Sequence, residues 1–370
     1  MINQRRLVKT FKQLVKIDSL SLQEAVIMRH LKKELAALGY RSTFVGRPDK
    51  GEVGSLSVLI PGYKSKGPRL MLNAHVDTVV PGKGIKPIEK GGYITSDGST
   101  ILGADNKAGV AVILELLRVL KEKKLPHPPL QVLFTVAEEI GLVGAAALPR
   151  AALKADYALV LDGGDIEKIV HFAPNQYNIV ARVYGQAAHA GIHPEEGISA
   201  IKAASAAIVK MKLGRIDFET TANIGIIRGG RATNIIPDEV EIRGEARSHK
   251  LAKVKKQIAQ MEKALLTECR KHGAVCKIKF ARIYEAFSVS EDSPLMEAAV
   301  DGMKAAGVRP EITGTGGGSD ANVFNAWGIP SIIMGVGADH VHTTKERIAV
   351  RDLVRGAAVI LNIIKEFNHE

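Results

Sequence analysis

Four uninterrupted apolar runs, at 56–60, 70–72, 132–136 and 157–161, have the length and composition of strands buried on both faces. Between them the periodicity becomes helical. Leu7, Phe11, Leu14 and Val15 recur at helical spacing near the N-terminus. A second helix is expected over 25–38, with Ser21 and Glu24 placed as a capping box ahead of it and Gly39 placed to end it. A third runs over 107–120, preceded by Asp105. This alternation, from residue 1 to about 172, predicts the α/β class, with a mostly parallel sheet and helices on both faces.

From 174 to 284 the order changes to strand (178–188), helix (199–211), strand (222–228), strand (239–248), helix (251–272) and strand (274–280). That βαββαβ order predicts an inserted ferredoxin-like α+β domain. The first pattern then returns, with Ser293-Pro294 opening a helix, an apolar strand at 331–334 and a last helix from about 350. The expected organisation is a discontinuous domain of 1–173 and 285–370, interrupted by a domain of 174–284.

Composition narrows the class. A chain of 370 residues that is 46% hydrophobic and 5% aromatic can bury a large aliphatic core and supports two domains. Its longest apolar stretch, 110–120, is broken by Glu115 and Arg118 and is too short to span a bilayer, so no membrane helix is expected. The basic N-terminus lacks the apolar core and cleavage site of a signal peptide and reads as a surface helix. Cys269 and Cys276 form neither a CxxC nor a close histidine pair, which argues against a disulfide framework or thiolate metal site and for a cytoplasmic location. The formal charge of +12 is spread along helices, as at Lys253, Lys255 and Lys256. Without an aromatic stacking platform or recognition motif it does not indicate nucleic-acid binding.

Candidate chemistry lies where strands should end. His75 and Asp77 follow RLMLNA, Asp105 sits in LGADNKAG, Glu138-Glu139 follow LQVLFTVA, Asp162 follows YALVL, and His340 and His342 lie near the C-terminus. In open α/β sheets such positions converge beyond the carboxyl ends of the strands. Imidazole nitrogen and carboxylate oxygen both bind zinc at about 2 Å. Two such ions, about 3.5–4 Å apart, can hold a hydroxide and polarise a carbonyl. Charge balance fits two cations: Asp105, Glu139 and Asp162 with a hydroxide offset plus four. Asp77 lies on the same strand face as His75 and can orient it. Asp105 can bridge both metals, and Glu138 can move protons while Glu139 binds metal. Asp165 reads as a loop acid. Spacing does not choose between His340 and His342. The glycine-rich stretch 314–319 lacks the Lys-Ser/Thr ending of a phosphate loop and suits close backbone approach to a substrate, with Gly317 at its centre.

The chain resembles the zinc-dependent metallopeptidase family of tripeptidase (peptidase T), glutamate carboxypeptidase and acetylornithine deacetylase, and is most similar to the peptidase T-like branch. The resemblance rests on HVDTV at 75–79, GADNKAG at 103–109, AEEIGLVGA at 137–145, LDGGD at 161–165, AHAG at 188–191, GGRATNIIPDEVEIRGEAR at 229–247, TGGGSDA at 315–321 and HTTKE at 342–346. It implies two zinc ions, with cobalt or manganese as alternatives: His75, Asp105 and Asp162 at one site, and Asp105, Glu139 and His342 at the other. It implies Asp77 as orienter of His75 and Glu138 as proton acceptor. It favours His342 over His340, because a hydroxyl residue and then an acid follow it. His189 resembles an oxyanion donor, in its own subunit or across a dimer, and Asn234 and Arg247 resemble substrate-holding groups. The inserted domain resembles a lid and homodimer surface. Asn106 departs from the tripeptidases, where a second acid often follows the bridging Asp, and His193-Pro194 is closer to carboxypeptidase-like members. The expected function is hydrolysis of short peptides, releasing the N-terminal residue of tripeptides. Competing expectations are a carboxypeptidase or deacylase acting on N-acyl amino acids, and a catalytically silent binding protein.

Overall fold

A computed structural model describes residues 1–368 of the chain. Its main sheet grows from the apolar runs. Strands Leu70–His75, Leu130–Thr135 and Ser331–Gly335 are buried at every position, and Tyr157–Gly163 is buried through its middle. Leu70–His75 pairs in parallel with Leu130–Thr135 on one side and with Tyr157–Gly163 on the other, and Ser331–Gly335 extends this parallel centre. Parallel strands covered on both faces read as continuous apolar runs. The flanks run the other way: Ser55–Ile60 is antiparallel to Leu130–Thr135, Ser42–Val45 to Ser55–Ile60, and Lys168–Ala173 to Ser331–Gly335. The sheet is therefore mixed rather than mostly parallel. Pairing direction alters the hydrogen-bond pattern and not the covered faces, so hydrophobicity does not reveal it.

The helix Ala104–Lys123 packs on Leu70–His75 and against the helices Gln4–Val15 and Val350–Glu366. Fifteen of its 20 residues are buried, so its charged residues need partners. Glu115 finds one in Arg6, whose guanidinium donates to both carboxylate oxygens at 2.7 and 2.9 Å. A small antiparallel sheet of Ala338–Asp339, Arg347–Ala349, Tyr93–Thr95 and Ile88–Lys90 escapes the sequence reading. Strands of two or three residues are too short to show a period.

The capping box expected before the second helix does not form. Helix Ala25–Ala37 has Glu24 at its N-cap with no side-chain capping bond. The Ser21 hydroxyl donates instead to Asp77, and Glu24 accepts amide bonds from Leu22 and Ala137. At the other end Gly39 adopts φ 83°, and its N–H donates to the Ala36 carbonyl, as expected of a glycine terminating a helix.

The chain divides into two compact units. One comprises residues 1–172, 288–315 and 319 onward; the other comprises 173–287 with 316–318. The second unit holds a five-stranded antiparallel sheet in the order Gly214–Asp217, Thr220–Gly229, Glu239–Ser248, Asn175–Tyr184 and Val275–Tyr284. Helices Ala200–Lys210 and Leu251–Lys271 pack on it. Their core joins alternate strand residues Ile179, Ala181 and Val183 to the helical Ala203, Ala207, Met261 and Leu265. No helix of the described residues is long and apolar enough to cross a membrane.

Candidate metal centre

The parallel strands end side by side, and their last side chains meet. His75 closes the strand Leu70–His75 and is 2% exposed. Its Nε2 lies 3.1 Å from Asp105 Oδ1 and 3.4 Å from Asp162 Oδ1, the latter within the strand Tyr157–Gly163. His342 lies in the loop before Arg347–Ala349 with φ 61°. Its Nε2 is 3.3 Å from Asp105 Oδ2 and 3.0 Å from Glu139 Oε2. The two oxygens of Asp105 thus face two different imidazoles. His340 stands apart, 3.6 Å from Asp339.

Surrounding groups hold these side chains in place. His75 Nδ1 is 3.1 Å from the Asp77 carbonyl and 3.4 Å from its carboxylate. Asp77, fully buried, accepts the Glu138 N–H at 3.0 Å, the Glu139 N–H at 3.2 Å and the Ser21 hydroxyl at 2.7 Å. Asp105 and Asn106 leave helical geometry at the start of Ala104–Lys123. Glu346 accepts the Asp105 N–H at 2.9 Å and those of Leu102 and Gly103 at 2.7 and 2.8 Å. Behind the site Lys107 is fully buried and donates to the Ile17 carbonyl at 2.7 Å. Burial drives its pKa down to about 7 against the opposing pull of Asp18, Glu346 and Asp77. Asp320, also buried, accepts from the Thr135 hydroxyl, and burial raises its carboxyl to about 6.

Sequence reading did not single out Lys107, Asp320, Ser21, Glu24 or Glu346 as parts of the site. Lys107 carried a signal, a cation at the head of a continuous apolar helix. Ser21 and Glu24 gave a capping signal that pointed elsewhere.

Acids and imidazoles shift one another's pKa values throughout the cluster. Burial lifts the Asp162 carboxyl to about 7, opposed by His75 and helped by Asp105 and Asp320. Burial likewise raises Glu138 well above the usual carboxylate range, with His75 opposing and Asp162, Asp320 and Glu139 adding to the rise. Glu139 is raised mainly by burial. Asp105 moves the opposite way, because His342 and His75 outweigh its burial. His342 is raised to about 10 by its bonds to Asp105 and Glu139. Carboxylates forced together out of water repel one another unless cations join them. One oxygen or nitrogen from each of His75, Asp105 and Glu139 falls within a 4.8 Å group. Nitrogen and oxygen donors of this kind suit zinc, cobalt or manganese. Beside them a cavity of about 270 Å³ is lined by Asp105, Asp162, Asp165 and His340 among others.

The remaining expected site residues lie in the second unit. His189 is exposed and its Nδ1 accepts the Gly191 N–H at 3.2 Å. The Ala190 N–H donates to the Asn234 carbonyl at 2.9 Å, joining the two loops. Arg247 is engaged by Glu245 at 2.9 and 3.0 Å and donates to the Gly316 carbonyl at 3.2 Å, next to Gly317.

Similarity to known proteins runs the length of the chain. A tripeptidase from Staphylococcus aureus is 41% identical, with 99% of each chain covered and a TM-score of 0.93. Aminopeptidase PepT from Bacillus cereus is 43% identical, again over 99% of each chain, with a TM-score of 0.88. The uncharacterized protein YqjE of Bacillus subtilis is 40% identical over 99% of both sequences. Residues 71–366, spanning the strand that carries His75 and the loop that carries His342, match Peptidase family M20/M25/M40, and the chain belongs to that family.

Proposed function

We propose that the protein is a two-metal exopeptidase that releases the N-terminal residue of short peptides, with tripeptides as the preferred class. One observation carries the reading: Asp105 directs Oδ1 to His75 and Oδ2 to His342, as a carboxylate shared by two cation sites would. His75, Asp105 and Asp162 would hold one ion and Asp105, Glu139 and His342 the other. Bound there, zinc would supply Lewis acidity towards the scissile carbonyl and lower the pKa of water.

The chain's own groups do the rest. Asp77 orients His75 through its second ring nitrogen and fixes the Glu138-Glu139 turn through two amides. Glu138, buried and raised in pKa, is suited to accept a proton from the attacking water and pass it to the leaving amine. In the second unit His189 would donate to the developing oxyanion, and Asn234, Arg247 and the backbone at Gly317 would hold the peptide. Arg247 suits a carboxylate through its planar guanidinium. This unit is proposed as a ferredoxin-like lid and homodimer surface in a cytoplasmic enzyme. Its four ten-residue strands, numbered in chain order, lie as 2-3-1-4, which supports the ferredoxin-like reading.

The tripeptidase and aminopeptidase relatives support the substrate class. The test is a panel of tri-alanine, dipeptides and N-acetyl amino acids with zinc-loaded and EDTA-treated protein. Fastest EDTA-sensitive release of the first residue of tri-alanine is expected. Preference for the N-acetyl substrates would transfer the assignment to a deacylase, and no hydrolysis of any substrate would transfer it to a binding protein.

A further inference from the structure

The turn that carries Glu138 is held from outside its own strand. Three successive amides, of Ala137, Glu138 and Glu139, donate to two buried carboxylates, Glu24 at 2.9 Å and Asp77 at 3.0 and 3.2 Å. Ala137 is in the left-handed region with φ 51°, a conformation that a residue with a side chain holds only when its surroundings impose it. The Glu24 oxygen that takes its N–H also takes that of Leu22, itself at φ 71°, at 2.9 Å. One carboxylate oxygen therefore locks two left-handed residues from distant parts of the chain.

The segment bearing Glu24 is itself fastened to the other loops of the site. Ser19 donates its hydroxyl to the Val76 carbonyl at 2.8 Å and accepts the Thr78 N–H on its carbonyl at 3.0 Å. Ser21 donates to Asp77, and the Ile17 carbonyl accepts Lys107. Residues 17–24 thus tie together the loop after His75, the first turns of the helix Ala104–Lys123 and the turn at Ala137, and none of them is among the metal-binding or proton-transfer residues.

We infer that Glu24, seconded by Ser21, is a positioning residue: its bond to the Ala137 amide sets where the Glu138 carboxylate stands. The inference rests on the reading of Glu138 as the proton-transfer group. Glu24 Oε2 has no hydrogen-bond partner, so a glutamine can keep the essential Oε1 contact. An alanine leaves the Ala137 amide without its acceptor.

The experiment compares full-length, zinc-loaded wild type with Glu24→Ala, Glu24→Gln and Ser21→Ala, reading kcat and KM on tri-alanine, metal content and amide hydrogen exchange. Misplacing a catalytic group by a fraction of its bond length to the substrate lowers kcat without weakening substrate binding. Glu24→Ala should lose about 10- to 100-fold in kcat with KM within about twofold, unchanged metal and faster exchange at 137–139. Glu24→Gln should stay within about threefold of wild type. Ser21→Ala should move kcat and exchange the same way by less, and it decides the question if Glu24→Ala does not fold. Unchanged exchange at 137–139, a loss confined to KM, or a loss that tracks metal content overturns the inference. If the wild type cleaves no peptide, the proposed function fails while exchange still decides whether Glu24 holds the turn.

Discussion

Glu138 is buried and Asp105 half-buried, and their neighbours drive them apart: histidines draw Asp105 down, while burial and nearby acids push Glu138 up. Such divergence separates a group that stays ionised from one that can carry a proton. Glu138→Gln should therefore retain both metals by elemental analysis while turnover falls about 10²- to 10⁴-fold. Metal loss in that variant would make Glu138 a ligand instead. Glu24 gives a pH prediction. Its folded pKa is about 7, raised by burial and Asp77 from an ordinary value of 4.5. The folded chain holds this proton more tightly than the unfolded chain, so the stabilising contribution is complete below about pH 4.5 and is lost as pH rises through about 7. In urea titrations the stability of wild type relative to Glu24→Gln should fall across that window, by about 3 kcal/mol at most. A flat difference would show that the shift is absent.

Elements matter here through how closely they approach. The short helix Val143–Ala146 sits against the end of the strand that leads into Glu138, and Gly144 makes this possible. A Cβ there would lie 1.7 Å from the Val136 carbonyl oxygen, whereas one at Gly316 would meet nothing within 4 Å. Gly144→Ala should cost about 1–3 kcal/mol of unfolding free energy or more, since the clash is with backbone that cannot rotate away. Gly316→Ala should change stability by less than about 0.5 kcal/mol. Equal stability of the two variants would mean that the helix shifts freely.

At the scale of the whole molecule, the site draws on residues from Ser21 to Glu346, so whatever binds its carboxylates ties the two ends of the first unit together. A ligand that binds only the folded state stabilises it by mass action. Zinc-reconstituted protein should melt several degrees above the EDTA-treated protein in calorimetry. An identical melting temperature, with zinc bound stoichiometrically, would mean that zinc binds the unfolded chain as well as the folded one. Homodimer formation through the second unit predicts a particle of twice the 39.7 kDa chain mass in light scattering.

The amino-acid sequence by itself determined the central strands, the long buried helix and the acids and imidazoles at strand ends. Continuous apolar runs and the polar residues that terminate them are local features, visible without a fold. Tertiary structure alone decided pairing direction at the sheet flanks, because a continuous apolar run reports that both faces are covered, and an antiparallel strand such as Ser55–Ile60 can be covered in the same way. It also decided the use of Ser21 and Glu24. Both look like helix caps by spacing, but a hydroxyl and a carboxylate donate and accept wherever partners lie, and here the nearest unsatisfied groups were Asp77 and the Ala137 amide. Spacing alone left His340 and His342 equal. The fold turned the second towards Asp105 and Glu139 and left the first beside Asp339, since the course of the loop in three dimensions, and not spacing along the sequence, decides which ring meets the acids.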